Sequence, residues 1–337
     1  MHKPFIYLFI SITLFAFSSC RPSNSLVNFS GQTMGTYYRI SYLSPKAQNH
    51  QVSIDSLLIA YNNALSTYIP TSIISRFNTA QANTPIAINA YVKTVFQEAT
   101  KVYKASEGAF DPTVMPLVNA WGFGYKDGLS IDSTSIDSLK QLVDFDAVKI
   151  TKEGSQFFLI KTKPGLQLDF SAIAKGHAVD VLGNFLDSQQ IGNYLIDIGG
   201  ELKAKGKNKH EKWWTVGIDK PQENAQERAL EAIINLENRA IATSGNYRNF
   251  YTKNGQKYAH TINPKTGYPK LSDLLSVSVF APNCITADAY ATAFMVMGYE
   301  KAKKTILQNK NLDALFIYSK PDGSIAKDMT QGVSFTN

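Results

Sequence analysis

The chain has 337 residues, a net charge of +7, 44% hydrophobic and 12% aromatic residues, and two cysteines. That is enough apolar material for one large core or two closely packed ones, and it excludes a disordered chain. The modest basic excess suits an anionic ligand or a membrane surface. It does not suit nucleic acid, because the one lysine-rich run, Lys203-Ala-Lys-Gly-Lys-Asn-Lys209, reads as a solvated hairpin tip rather than a binding face.

At the N-terminus, His2 and Lys3 precede an apolar run from Phe5 to Phe17 that ends in Ser18-Ser19-Cys20. The run is too short for a comfortable membrane span, so residues 1–19 read as a cleaved export signal. Small residues before a cysteine resemble a bacterial lipoprotein signal, which makes Cys20 the lipid-bearing first residue of the mature chain. An ordinary secretory signal with an incidental cysteine is the alternative. With Cys20 acylated, Cys284 has no partner, and disulfides cannot stabilise the exported domain. The expected setting is a membrane-anchored lipoprotein facing the periplasm, with residues 20–30 as a lipidated polar tether and 31–337 as one domain.

Thr36 to Leu43 alternates as a strand, and Ile54 to Leu65 and Val92 to Ala105 repeat at helical spacing. The Pro- and Gly-rich stretch from Asp111 to Gly128 is not expected to be regular for long. A hairpin is expected from Phe157 to Phe170, turning at Pro164-Gly165, followed by a helix N-capped by Ser171 and running to about Ser188. Strand patterns follow at Tyr194 to Ile198, Trp213 to Ile218, Ala232 to Leu236, Ala240 to Thr243 and Leu275 to Phe280. A helix from Ile285 to Met297 and a strand from Ala314 to Tyr318 complete the series. Strand pairs interrupted by single helices predict an α+β fold with mixed or antiparallel sheets and packed helices.

Asp288 and Thr292 stand four residues apart on one face of the last apolar helix. Two stacked oxygen ligands can hold a hard cation such as Mg²⁺. The structural alternative is an Asp complementing the helix dipole and a Thr bonded back to a carbonyl. Gly, small and polar residues also crowd Gln32 to Thr36, Gly108 to Thr113, Asp169 to Gly176, Asp197 to Glu201, Ala242 to Arg248 and His260 to Gly267. Such segments let backbone amides approach an anion, and Lys175 would add charge one turn into a helix. His260, before a Pro-Lys-Thr-Gly turn, is a candidate general base or a structural hydrogen-bonding group. There is no Walker loop, no Gly-x-Gly-x-x-Gly, no nucleophile elbow around Ser244, and no zinc cluster.

Taken together and in order, these segments resemble the FAD:protein FMN transferase (ApbE) family. The resemblance rests on Phe110-Asp-Pro-Thr-Val-Met-Pro-Leu-Val-Asn-Ala-Trp-Gly-Phe-Gly124, Ser171-Ala-Ile-Ala-Lys-Gly176, Gly199-Gly-Glu201, Ala242-Thr-Ser-Gly245, His260-Thr-Ile-Asn-Pro-Lys-Thr-Gly-Tyr-Pro269 and Ala287-Asp-Ala-Tyr-Ala-Thr292. It implies a T-fold-like α+β domain with FAD, as substrate, in a cleft between subdomains. By this resemblance Met34, Tyr68, Ala109, Phe110, Asp111, Asp169, Lys175 and Ile262 contact FAD. The Ala172 carbonyl, Asp288 and Thr292 hold Mg²⁺, and His260 is the base. The implied reaction moves FMN from FAD onto a threonine of a partner protein and releases AMP. Implied partners are subunits of redox-driven ion pumps or related exported flavoproteins. A Mg²⁺-dependent FAD pyrophosphatase and a non-catalytic flavin-binding lipoprotein are the rival readings. Asn263 and Asn246 stand where many relatives carry an acidic residue, which is expected to weaken polar contacts around the cleft while sparing activity.

Overall fold

The structure is a computed structural model that describes residues 24–124, 133–220, 230–246, 250–253, 256–270 and 272–335. The signal segment and Cys20 lie outside the described residues. In chain order, the first half contains β1 (Ser25–Thr33), β2 (Thr36–Ser44), α1 (Gln51–Leu65), α2 (Ile73–Thr79), β3 (Ile86–Ile88), α3 (Ala90–Ala105), α4 (Met115–Ala120), α5 (Ser133–Lys140), β4 (Val148–Glu153) and β5 (Gln156–Lys161). There follow α6 (Ser171–Ser188), β6 (Tyr194–Ile198), β7 (Glu201–Lys205), β8 (Trp214–Asp219), β9 (Leu230–Leu236) and β10 (Ala240–Gly245). The last part holds β11 (Phe250–Lys253), β12 (Gln256–Ala259), β13 (Leu274–Ala281), α7 (Cys284–Met297), α8 (Tyr299–Leu307), β14 (Asp313–Ser319) and β15 (Ile325–Met329).

The α+β expectation holds. An eight-stranded sheet in the order β1-β2-β6-β7-β10-β13-β14-β15 is antiparallel at every step. Strand alternation sends side chains to two different cores. On β10, β13 and β14, Ala242, Val279 and Phe316 join the helices, whereas Ile241, Phe280 and Leu315 face the ribbon β8–β9 with Trp214, Val216 and Ile234. The first core carries α6 and α7. Helix α7 is buried nearly all round, which is why it shows no narrow apolar stripe. Among the described residues, no helix is long and apolar enough to cross a membrane.

Several local expectations are corrected. β1 begins at Ser25 and pairs along its length with β2, so the stretch read as a tether already enters the sheet at that residue. The hairpin placed over Phe157 to Phe170 is instead β4–β5, turning at Gly154, where φ is +58°. Leu166 to Phe170 is not a strand. It is pinned by the buried Lys161, whose ammonium donates to the carbonyls of Asn78 and Leu166 at 3.0 and 2.8 Å. Ser171 is the first helical residue of α6 rather than its cap. The stretch from Asp111 to Gly128 is regular only briefly, as expected, in a turn of 3₁₀ helix and α4, and its residues 125–128 lie outside the described residues. In the lysine run, Lys203 and Lys205 belong to β7, and Lys203 pairs with the buried Asp180 at 2.7 Å.

Helices α6 and α7 are clasped. The amide of Gly176 donates to Asp288 Oδ2 at 2.8 Å, and the Asp180 carboxylate of α6 accepts the amide of Ile285 at 2.9 Å. A methyl group at position 176 would lie 2.4 Å from the Cys284 carbonyl oxygen and 2.7 Å from Asp288 Cβ. Helix propensity alone would make Gly176→Ala stabilising by about 1 kcal/mol. The contact predicts the opposite sign, a loss of roughly 1–3 kcal/mol in urea unfolding, because backbone must move to admit the methyl.

Candidate functional site

A cavity of about 1130 Å³ opens where the glycine-rich segments converge. Its lining includes Tyr68, Ala109, Phe110, Asp111, Asp169, Ala172, Lys175, His260, Ile262, Asp288 and Thr292. Met34 is the exception among the residues expected there. With Gly35 it forms the two-residue turn of the β1–β2 hairpin, both at positive φ of 50° and 72°, and its side chain packs partly buried against the main core. Its neighbours Thr36 and Tyr37 line the cavity instead.

Each segment has a local reason to present its groups. Asp111 Oδ1 accepts from the amide and hydroxyl of Thr113 at 2.7 and 2.5 Å, which fixes the turn into α4. Asp169 Oδ1 accepts in the same way from the amide and hydroxyl of Ser171 at 2.8 and 2.5 Å, at the start of α6. Gly199 and Gly200, at φ of +60° and +103°, carry the chain from β6 to β7 where a methyl on Gly199 would strike Thr36. The Gly200 amide donates to Asp197 Oδ1 at 2.9 Å. Asn263 Oδ1 takes the Lys265 amide at 2.9 Å, and Asn246 Oδ1 takes the Thr261 hydroxyl at 2.9 Å. Both Asn residues therefore act through an acceptor oxygen, the part an Asp would also offer. His260 is half-buried at the cavity wall, edge-on to Phe123 with ring centroids 6.5 Å apart.

The most highly charged wall is formed by α6, α7 and the start of β7. Lys175 pairs with Glu201, whose side chain is 5% exposed against 29% for Lys175. Burial alone would push the Lys175 ammonium down, but Glu201 and Asp288 outweigh it and hold the group above the usual lysine range. Burial raises the Glu201 carboxyl against the pull of Lys175, and it raises Asp288 against Lys175 and the Gly176 amide. Asp288 lies in the second turn of α7, because the helix starts at Cys284 under an Asn283 cap that accepts from the Thr286 amide. The dipole explanation for Asp288 thus weakens, since that effect fades within the first turn.

Glu201 was missed as a site residue by sequence reasoning, although the Gly-Gly-Glu motif that carries it was not. The cavity-lining run of β8 from Thr215 to Asp219 was also missed. The sequence shows β8 only as an alternating strand, with nothing to say what its edge faces. Among the described residues there is no cluster of three His, Cys, Asp or Glu side chains placed for a metal. A cation here would depend on hydroxyl, carbonyl and water oxygens as well as carboxylate.

These features define an α+β protein with a polar cleft of nucleotide size, walled by buried carboxylates and a paired lysine. Residues 34–316 match the family model described as ApbE family. The FAD:protein FMN transferase of Haemophilus influenzae is 37% identical over 318 residues, covering 92% of this chain and 91% of that protein. The one from Vibrio cholerae is 38% identical over 315 residues, covering 92% and 93%. Among solved structures, the flavin transferase ApbE from Vibrio cholerae matches with a TM-score of 0.80 at 36% identity, over 91% of this chain and 98% of that one. The Pseudomonas stutzeri flavinyl transferase ApbE in its apo form gives 0.80 at 30% identity, over 91% and 95%. The chain belongs to the ApbE family.

Burial pushes the Asp111 carboxyl up to about 6, against the hydrogen bonds from Thr113. The folded chain therefore binds this proton more tightly than the unfolded chain, and the contribution to stability falls as pH rises from about 4 to about 6. Relative to Asp111→Asn, the ligand-free wild type should lose stability across that interval and run parallel above it. Denaturant unfolding of both proteins at several pH values checks the slope.

Proposed function

We propose that this chain is an FAD:protein FMN transferase, which moves FMN from FAD to a threonine hydroxyl of a partner protein and releases AMP. The observation that carries the proposal is the convergence on one cavity of six segments lying far apart in the sequence, Met34 alone of the expected FAD contacts staying outside it. The names of the relatives supply the reaction class for the same fold.

In this reading FAD lies with its pyrophosphate at the start of α6, where the N-cap residue Phe170 offers no side-chain acceptor, Asp169 takes the Ser171 amide, and Ser171, Ala172 and Lys175 line the cavity. Lys175, fixed by Glu201, presents its remaining N–H donors to phosphate oxygens. Tyr68, at 67% exposure, stands at the rim, while Ile262 and Phe110 supply buried apolar wall. His260 takes the proton from the attacking threonine hydroxyl as its oxygen bonds to the FMN-side phosphorus. The bond from that phosphorus to the AMP oxygen breaks, and AMP departs with the electron pair.

The donor set fits Mg²⁺. The Ala172 carbonyl has two lone pairs, so it keeps acceptor capacity beside its ordinary helical partner, the Gly176 amide, which also donates to Asp288 Oδ2. Thr292 lines the cavity one turn beyond Asp288. Ala172, Asp288 and Thr292 would hold the ion, leaving its other positions to water and phosphate. When bound, Mg²⁺ neutralises charge on the pyrophosphate.

The proposal is tested by incubating the chain with FAD, Mg²⁺ and an acceptor flavoprotein and measuring the acceptor's intact mass. A gain of one FMN, abolished by EDTA and by Asp288→Ala, is the expected result. Free FMN and AMP with an unmodified acceptor would point instead to pyrophosphatase action. His260→Ala should slow transfer about 10²- to 10⁴-fold while FAD binding persists; equal loss of FAD binding would remove His260 as the base.

The acceptors we propose are exported or membrane-bound subunits of redox-driven ion pumps and related flavoproteins, met by an enzyme anchored through Cys20. Cys20→Ser should shift the protein from the membrane fraction to the soluble periplasmic fraction. Retention on the membrane would argue against the lipid anchor.

A further inference from the structure

Glu201 differs from the other acidic residues of the cavity. Asp111, Asp169 and Asp197 each accept hydrogen bonds from nearby amides. Glu201 is 4% exposed, gives one carboxylate oxygen to Lys175, and leaves Oε2 buried with no hydrogen-bond partner. Lys175 answers part of the Glu201 charge, but a buried carboxylate oxygen without a hydrogen-bond donor is left incompletely satisfied. The neighbouring Asp288 is buried as well, held by the Gly176 amide. Lys175 is the ammonium that both carboxylates feel, since Lys203 is committed to Asp180. This wall therefore sets two carboxylates against one ammonium.

Surplus negative charge in a poorly solvated wall opposes a phosphate-bearing ligand and favours a cation. With Glu201 uncharged, Asp288 and Lys175 would balance, and the wall would no longer repel phosphate. We propose that the Glu201 charge makes nucleotide binding conditional on the cation, so that FAD and Mg²⁺ enter as a coupled pair. The inference rests on the metal-dependent transferase reading above. Linkage then requires reciprocity, with FAD strengthening Mg²⁺ binding by the same factor as Mg²⁺ strengthens FAD binding. Glu201 need touch neither ligand for this.

The test is a flavin-fluorescence titration with FAD at about pH 8.5, well above the ordinary carboxyl range, once in EDTA and once in saturating Mg²⁺. The wild type should bind FAD about 5- to 150-fold more tightly with Mg²⁺. Glu201→Gln keeps an acceptor for Lys175; it should bind FAD more tightly than wild type in EDTA and lose most of the Mg²⁺ effect. Glu201→Ser, a second uncharged variant, should behave alike, whereas Glu201→Asp should retain the coupling. Circular dichroism confirms that each variant compared is folded. Undiminished coupling in the uncharged variants, or loss of coupling in Glu201→Asp, overturns the inference. A wild type whose FAD affinity ignores Mg²⁺ overturns the metal reading on which it rests.

Discussion

The rest of the site depends on the clasp between α6 and α7. At Gly176 the two helices approach so closely that a single methyl would meet backbone atoms of the other helix. The same amide that the missing side chain exposes is the one that holds Asp288. Asp180, one turn on, returns a carboxylate to the amide of Ile285. Packing and polar satisfaction are thus met by the same few atoms, and the helix carrying Asp288 and Thr292 has little freedom to slide relative to the helix carrying Ala172 and Lys175. A site built on such rigid elements can hold its groups at fixed separations, as positioning-dominated phosphoryl transfer demands.

Electrostatics adds a second constraint. Buried carboxylates are costly unless paired or hydrogen-bonded, and most in this protein are so treated. Asp180 has both a lysine and an amide. Asp313, beside Arg239 and the Thr330 hydroxyl, is held below the usual carboxylate range despite partial burial. The cavity wall departs from this pattern, and it does so where the family resemblance locates the phosphates and the cation. The ligand-free chain thus keeps an imbalance in a cavity wall that the proposed ligands would reach.

Much of this was legible in the sequence. β2, α3, β6 and β13 follow from alternation or helical spacing, and their ends moved by only a few residues. Motif by motif, the residues that the resemblance singled out for the site line the cavity, Met34 excepted. What failed has physical reasons. The wrong hairpin at Pro164-Gly165 followed from turn chemistry alone, which cannot reveal that Lys161 ties the following segment, at Leu166, to Asn78, 83 residues before Lys161. Met34 sits beside true cavity residues, but a two-residue turn directs it elsewhere. Glu201 escaped because an isolated acidic residue on a strand carries no mark of burial. Its significance emerges only once Lys175, 26 residues earlier, is folded against it.

The order of the segments along the chain has a consequence for biosynthesis. Cavity residues run from Thr36 near the start to Thr292 and Val296 near the end, and α7 fills the centre of the main core. A chain emerging from its N-terminus can form the β1–β2 hairpin early, since those contacts are local. The central strands β10 and β13 and the helix that completes the core come later, after long loops have closed. No partial chain lacking α7 contains the cleft, so the capacity to bind a scarce nucleotide arises only when the polypeptide is almost finished.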